Sequence, residues 1–449
     1  MALQDIVNVI ITRVTTTVSR IGFGTPLITG FHTVFAERAK VFSSVADIAA
    51  EGFADASPTS GVIADPILTA ARAIFSQDPS PNRVVIGRNA NKPAHSETLT
   101  IASVVADTAY SVVVNGNTAT FTSDATPLAS EISTGLTAAI DALPGGANDQ
   151  FDAVDGAGTI ALTAGTNAAA GVFELTVVDR ALITRKNDSS DPGVGADLTA
   201  IQVANNDFFA VVPTSQSEAE INALATSVEA ITTPKRLLLV ASADDDILTN
   251  TSGNIADDLN PGQTRTALMY HSKPHTSPNG AWGGKLLPKD PGSVTWAFKT
   301  LAGIDPDTLT TGEITNIEVN KANHYTAVAG VAITQQGTVS SGEFIDIQRF
   351  ISFIETRLQE NVFARLAAVD KIPFTDPGIA IIEAEVRAVL QLGIAQGGFA
   401  ASPEPTVTVP RAADVSLIDK ANRTLPDIKF TATLAGAIHA VTINGVVSV

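Results

Sequence analysis

A glycine-rich run at residues 279–286 (NGAWGGKL) has some of the residue types of a phosphate-binding loop. Such a loop holds phosphates with backbone N–H groups and a lysine, and the Ser or Thr after that lysine binds magnesium. Here the leading glycine is displaced by one position, and Leu286 follows Lys285. The aspartates at 244–246 could imitate the acidic partner of such a loop, but strand ends in α/β folds commonly reach solvent through aspartate. An α/β nucleotide-hydrolysing enzyme is therefore only a distant alternative.

Two histidines have the spacing of a zinc-binding helix. His271 and His275 are four residues apart, but Pro274 lies between them and no glutamate follows His271. The acidic clusters at 244–246 and 257–258 lack the glycine and terminal glutamate of a dedicated calcium loop. The chain also has no Gly-x-Ser-x-Gly motif. We therefore predict no catalytic residue, no metal site and no cofactor, so the protein is not expected to be an enzyme.

The composition indicates a folded chain of two to four compact units, because it has 449 residues. Hydrophobic residues make up 45% of the chain and charged residues 16%, which excludes global disorder. The formal net charge of -18 repels phosphate backbones, so we expect no direct nucleic-acid partner. The chain has no cysteine, which excludes disulfides and thiolate chemistry.

The start of the sequence lacks the pattern of a signal peptide. Asp5 precedes the apolar stretch 6–18, whereas a signal peptide has a basic segment there. No run of about 18 apolar residues occurs without polar interruption, as a spanning helix would need. We expect neither a targeting segment nor membrane insertion.

Two parts of the chain, residues 31–90 and 195–340, have the alternating strand and helix patterns of an α/β domain. Gly22, Gly24, Pro26 and Gly30 are interpreted as punctuation before the first part. The predicted strands are 41–43, 83–87, 208–212, 236–241, 265–270 and 325–331, and the predicted helices are 44–49, 66–76, 217–230 and 294–301.

Between these parts, residues 91–194 are rich in Thr, Ala, Gly, Asn and Asp, and we predict a small inserted β-sandwich-like domain. The dipeptide Asn115-Gly116 predicts a tight hairpin. One helix is predicted at 128–143. The predicted strands are 98–104, 110–114, 118–122, 159–163 and 173–178.

The last part, residues 341–449, contains the clearest helical pattern. Between 344 and 369 the apolar residues are three or four apart, whereas Arg349, Arg357 and Arg365 are assigned to other faces. A second helix is predicted at 376–396, and strands follow. The prolines around 407–409 indicate an edge strand.

Several stretches resemble parts of the tail sheath proteins of contractile, myovirus-type phages, and they occur in the same order as in that family. They lie at 22–28 (GFGTPLI), 37–44 (ERAKVFSS), 70–77 (AARAIFSQ), 81–88 (PNRVVIGR), 421–432 (ANRTLPDIKFTA) and 434–439 (LAGAIH). The match brackets nearly the whole chain. The resemblance implies a multidomain α/β and α+β subunit: a split α/β middle domain, an inserted outer domain, and an inner α+β domain built from both chain ends with extended terminal β arms.

Five segments correspond to these parts. Residues 1–30 are expected to form the N-terminal arm strand and the start of the inner domain, and 31–90 the first part of the middle domain. Residues 91–194 are the outer insert and 195–340 the second part of the middle domain. Residues 341–449 are expected to form the inner C-terminal domain with its β arm.

The resemblance implies a structural subunit that polymerises helically around a tail tube and contracts to drive the tube through the host envelope, as in genome ejection. Its implied partners are its own copies, the tail tube protein, and the baseplate and tail terminator proteins. Its implied location is the virion tail, assembled in the host cytoplasm. Another virion structural protein, such as a capsid, fibre or adhesin, remains the alternative.

In this family the chain ends donate strands to neighbouring subunits, and an inner-domain helix holds the tube. Arg349, Arg357 and Arg365 are therefore candidate tube contacts. Asn444-Gly445 predicts the turn of a C-terminal hairpin. The candidate arm residues are Ile6, Val7, Val9, Ile11, Val14, Val18, Ile428, Phe430, Ile438, Val441, Ile443, Val446 and Val449.

Overall fold

The computed structural model describes residues 22–259 and 262–445, which form four sheets and a series of helices. The strands are β1 (Pro26–Phe31), β2 (Ala39–Phe42), β3 (Val84–Asn89), β4 (Ser96–Ile101), β5 (Ala109–Val114), β6 (Asn117–Thr122), β7 (Phe151–Asp155), β8 (Thr159–Ala164), β9 (Leu175–Val177), β10 (Ile183–Asn187), β11 (Ala210–Pro213), β12 (Leu237–Ser242), β13 (Thr266–Tyr270), β14 (Asn323–Val328), β15 (Val331–Gln335), β16 (Thr406–Thr408) and β17 (Lys429–Thr431). The α-helices are α1 (Val45–Glu51), α2 (Pro66–Phe75), α3 (Ala129–Asp141), α4 (Val194–Ala204), α5 (Glu218–Ala230), α6 (Asp245–Thr249), α7 (Ile255–Leu259), α8 (Pro278–Leu286), α9 (Thr311–Val319), α10 (Ile345–Ala367), α11 (Asp376–Ala395) and α12 (Leu417–Ala421).

The largest sheet has eight strands in the order β15-β14-β13-β12-β11-β1-β3-β2. Its strands pair in parallel from β14 to β3, and the two edge strands are antiparallel. Alternate side chains along each strand pack into hydrophobic cores on opposite faces of the sheet. Leu27 and Val211 pack on one face, and Ile28 and Val212 pack on the other. Helices cover both faces, as a buried parallel sheet requires. The α/β prediction is confirmed for this part of the chain.

Strand β1 lies near the middle of this sheet, although Pro26 and Gly30 were interpreted as punctuation. Gly30 is needed there because a Cβ would lie 2.6 Å from Thr214 Oγ1 and 3.1 Å from a side-chain carbon of Ile67. The glycine therefore permits a close approach to a helix and a neighbouring loop.

Residues 96–187 form two antiparallel sheets, with strand orders β10-β4-β8-β7 and β6-β5-β9. They share one apolar core with α3, which includes Tyr110 and Phe151. Asn115 and Gly116 both have positive φ, 47° and 78°, between β5 and β6. This is the backbone of the predicted hairpin turn, which is confirmed.

Helices α10 and α11 pack side by side, and α10 adds its first half to the core beneath the large sheet. Phe350 meets Phe399 edge to face, with ring centroids 4.7 Å apart. The predicted helix at 294–301 is wrong. Trp296 and Ala297 are buried in non-helical chain there, and Phe298 has a φ of 60°, which a helix does not allow.

The described helices were compared with the dimensions of a lipid bilayer. Within residues 22–259 and 262–445, no helix has the length and apolar character needed to cross one.

Candidate assembly surfaces

The two-stranded sheet of β16 and β17 has edges to which a further strand could bind through backbone hydrogen bonds. Its register joins Val407 to Phe430, and both strands are short and largely exposed. Within the described residues no third strand is added to either edge. An isolated strand pair is only marginally stable in water. The free backbone groups at its edges are a template for a further strand.

The C-terminal candidate arm residues fall into two groups. Ile428 is half-buried against the large core, whereas Phe430 is exposed on β17. Ile438, Val441 and Ile443 expose 83%, 74% and 87% of their surface. Three apolar side chains so close together and so exposed form an apolar patch of the kind that marks interaction surfaces.

The predicted C-terminal hairpin is not formed by the described part of this segment. Residues 438–445, including Asn444 and Gly445, contain no strand, and the second predicted strand, 446–449, lies outside the described residues, so the hairpin stays a prediction. A strand needs a ladder partner, and no described strand lies beside these residues. Val446 and Val449 lie outside the described residues. So do the N-terminal arm residues Ile6, Val7, Val9, Ile11, Val14 and Val18.

Arg349 is not on the exposed face of α10. It is 2% exposed, and its guanidinium donates hydrogen bonds to four carbonyl oxygens, those of Phe23, Leu286, Leu287 and Lys289. Burial lowers the pKa of Arg349 to about 9. The tube-contact prediction for this residue is therefore wrong, because its charge already satisfies carbonyls at the end of α8. 

The other two arginines lie further along α10. Arg357 is mostly buried, pairs with Glu360, and lies over the ring of Phe353 at 4.9 Å. Arg365 keeps 42% of its side chain exposed and lies 3.7 Å from Glu385 of α11. Arg365 is thus the most accessible of the three predicted tube contacts, and its role stays a prediction.

The second half of α10 has an exposed apolar strip, although the helical pattern predicts that the apolar face is buried. Phe363 and Leu366 expose 60% and 52% of their surface, and Val369 follows just beyond the helix. The sequence signal was present in the three-residue spacing. Apolar spacing predicts a buried face but does not identify what buries it.

The glycine-rich run forms α8, a buried helix. A Cβ on Gly284 would lie 2.5 Å from the carbonyl oxygen of Ile74, and one on Gly283 would lie 2.8 Å from Leu239. These glycines allow α8 to pack against α2 and β12. A phosphate would have no loop to enter, because the backbone of this run is already helical and enclosed.

The two histidines are also held by the fold. His271 contacts the carbonyl oxygen of Asp305 through Nε2 at 2.9 Å and accepts from the Lys273 N–H through Nδ1. Burial lowers the pKa of His275 to about 3. Within the described ranges, no group of three or more His, Cys, Asp or Glu side chains is arranged to hold a metal ion.

A buried ionic network joins the antiparallel sheets to the large sheet. The guanidinium of Arg185 forms a bidentate salt bridge with the carboxylate of Glu97, and the Arg185 backbone N–H donates to the Asp245 carboxylate at 3.0 Å. Burial alone would raise the pKa of Glu97, but Arg185 and His95 lower it to about 2. Burial raises the pKa of Asp245 to about 6. The insert is therefore docked by specific polar contacts.

No protein-family model and no curated protein sequence matches the chain. Solved structures do match over nearly its full length. A chain of the extracellular contractile injection system PVC, from its sheath complex in the contracted state, has a TM-score of 0.57 at 11% identity, with 98% of this chain and 96% of that chain covered. The chain has the fold of a contractile-sheath subunit. A chain of the anti-feeding prophage (AFP) baseplate has a TM-score of 0.55 at 12% identity, with 98% of each chain covered. 

A third structure, the sheath tail protein of Listeria innocua, has a TM-score of 0.46 at 13% identity, with 93% of this chain and 96% of that chain covered. The sheath fold confirms the prediction of a multidomain α/β chain. The segment boundaries at 30, 90, 194 and 340 stay predictions.

Proposed function

We propose that this protein is a structural, non-catalytic subunit of a contractile tail or a related injection machine. Its copies polymerise helically around a tube and contract to drive the tube through a target envelope. The observation that carries the proposal is the near-complete structural overlap with a chain of a contractile sheath complex. A fold shared from end to end supports a shared architecture better than a match confined to one domain.

The exposed chemistry of the C-terminal region supports this assembly. The open edges of β16 and β17 accept strands, and the segment around Val441 and Ile443 supplies apolar residues without a ladder of its own. We propose that this segment, together with residues 6–18, adds strands to neighbouring copies. Strand addition by head-to-tail contacts that do not close into a ring produces a helical filament.

Contraction in this proposal requires no nucleotide. A sheath assembled in an extended lattice is kinetically trapped, and repacking the same subunits into a shorter, wider lattice releases free energy. The proposed partners besides its own copies are the tail tube, baseplate and tail terminator proteins. The proposed location is the tail of the particle, after assembly in the host cytoplasm.

Negative-stain electron microscopy of the purified protein tests the proposal. Long hollow cylinders of uniform width, alone or after addition of the tube protein, are the expected result. Closed shells would indicate a capsid protein, and thin fibres without a lumen would indicate a fibre or adhesin. Either of those outcomes, or particles that remain discrete with the tube present, would overturn the sheath assignment.

A further inference from the structure

The ring of His439 lies in a small cage on the surface of its own subunit. Its Nε2 shares a hydrogen bond of 2.8 Å with Thr295 Oγ1. The rings of Phe298 and Phe344 meet it edge to face, with centroids 5.3 Å and 5.0 Å away. Three contacts from two separate parts of the chain thus hold one imidazole.

The cage is built on rigid supports. Thr295 precedes Trp296, which is fully buried, and the carbonyl oxygen of Trp296 accepts a hydrogen bond from the indole of Trp282 at 2.9 Å. Phe344 precedes Ile345, which is fully buried at the start of α10. Both walls of the cage are therefore fixed by side chains in the main core.

Phe298 is held in a backbone conformation that a residue with a side chain rarely adopts. Its φ is 60°, and its N–H donates to the carbonyl oxygen of Thr334 at 2.7 Å. Such a conformation is unfavourable and persists only when the surroundings impose it. Phe298 nevertheless keeps 45% of its surface exposed, and its ring contacts His439. A strained, exposed phenylalanine suggests a role in holding something at the surface.

The C-terminal segment contacts its own subunit before the cage and is exposed after it. Before it, Leu434 bridges to Phe399, and the Ala435 N–H donates to the carbonyl oxygen of Gly398 at 2.9 Å. After it, Val441 and Ile443 are exposed and form no strand. Within the described residues, His439 is thus the last anchored side chain before Val441 and Ile443.

We propose that the cage of Thr295, Phe298 and Phe344 fixes the point at which the C-terminal segment leaves its subunit. His439 is then a positioning residue for the strand that the segment donates, so this inference rests on the proposed function. Without it, the last anchor is Ala435. Four more residues are released, which add about 13 Å of extended chain at roughly 3.3 Å per residue. The cage therefore sets how far, and in which direction, the donated strand can reach.

Spin-label distances in the unassembled full-length chain test the cage directly. The chain has no cysteine, so Ala440→Cys and Val319→Cys give two unique labels, one directly after the caged His439 and one at the exposed end of α9. The doubly labelled protein is diluted in unlabelled protein, so that only distances within one chain are measured. We expect a narrow distribution in the parent, a broad one with His439→Ala, and an intermediate one with Thr295→Val.

Ile438→Ala is the matched control, because Ile438 is adjacent and 83% exposed. It should retain the narrow distribution. An unchanged width with His439→Ala, or equal broadening with Ile438→Ala, would overturn the proposed cage. Because the measurement needs no polymer, a protein that shows the expected widths but never forms cylinders would instead overturn the proposed function.

Discussion

Arg349 Nη2 lies 2.7 Å from the carbonyl oxygen of Leu287, which places a fully buried cation at the carboxyl end of α8. The last carbonyls of a helix have no partner within it, and a positive charge there is favourable. The same guanidinium also reaches Phe23 and Lys289, so one side chain ties three segments together. Its contribution is to the fold of the subunit.

Replacing Arg349 should therefore destabilise the subunit. We expect Arg349→Met to lower the free energy of unfolding by more than about 3 kcal/mol, because four buried carbonyls lose a charged donor. Urea denaturation followed by circular dichroism measures the change. Arg365→Met, on the same helix but partly exposed, is the control and should change stability by less than about 1 kcal/mol.

The buried pair of Glu97 and Arg185 gives a second stability prediction. Arg185→Met leaves the enclosed Glu97 without its cation, so we expect a loss of about 3–5 kcal/mol. The exposed pair of Arg83 and Asp207 is the matched comparison, and Arg83→Met should cost no more than about 1 kcal/mol. Equal losses in the two variants would contradict the assignment of a special role to the buried pair.

Glu220 should make stability depend on pH. Burial raises its pKa from 4.5 to about 7, so between these values the folded chain holds a proton that the unfolded chain releases. The contribution of Glu220 to the free energy of unfolding is therefore fully present below about pH 4.5 and is lost as the pH rises through about 7. Glu220→Gln should remove up to about 3 kcal/mol of this fall. Thermal melts from pH 5 to 8 measure it, with the exposed Glu404→Gln as control; equal slopes in both variants would refute the prediction.

The segment between the two parts of the large sheet should be removable. The side chain of Asn91 donates to the carbonyl oxygen of Pro192 at 2.6 Å, so the ends of the deletion are already adjacent. We expect a variant that lacks 92–190, joined by a short linker, to remain folded and to form cylinders. A soluble, folded variant that forms none would show that the insert takes part in assembly.

The exposed C-terminal segment should be needed for assembly but not for folding. Removal of 438–449 takes away exposed apolar residues and little of the core. We expect a folded, soluble monomer by circular dichroism and gel filtration that gives no cylinders. Asn422→Ala, at an exposed site outside the segment, should assemble normally. Cylinders of normal length from the truncated chain would contradict strand donation by this segment.

Local rules predicted the elements whose signals are contained in short stretches. Ser44 and Ser217 cap α1 and α5 through their hydroxyl oxygens, where helix starts were expected. The turn at Asn115 was predicted because its positive φ is a property of the dipeptide itself. Elements that depend on a few adjacent residues can be predicted in this way.

The errors arose where a distant neighbour determines the role of a residue. Position 30 of β1 is a glycine because Ile67 and Thr214 leave no space for a side chain, so this glycine does not mark a turn. Arg349 is buried because its four acceptors come from other elements. In both cases the partners of the residue are distant in the sequence. A prediction from local spacing therefore placed Gly30 in a turn region and Arg349 on an exposed face.

The pairing of β1 with β11 joins Leu27 to Val211 across the whole insert. At about 5–20 residues per second of synthesis, β11 emerges on the order of ten to forty seconds after β1. During that interval β3 can cover one side of β1, whereas the other side has no partner. The sheets between 96 and 187 pair only among themselves and can finish meanwhile. The growing chain thus carries a completed insert beside an incomplete large sheet, and the unpaired edge of β1 stays open to pairing with other chains until β11 is synthesised.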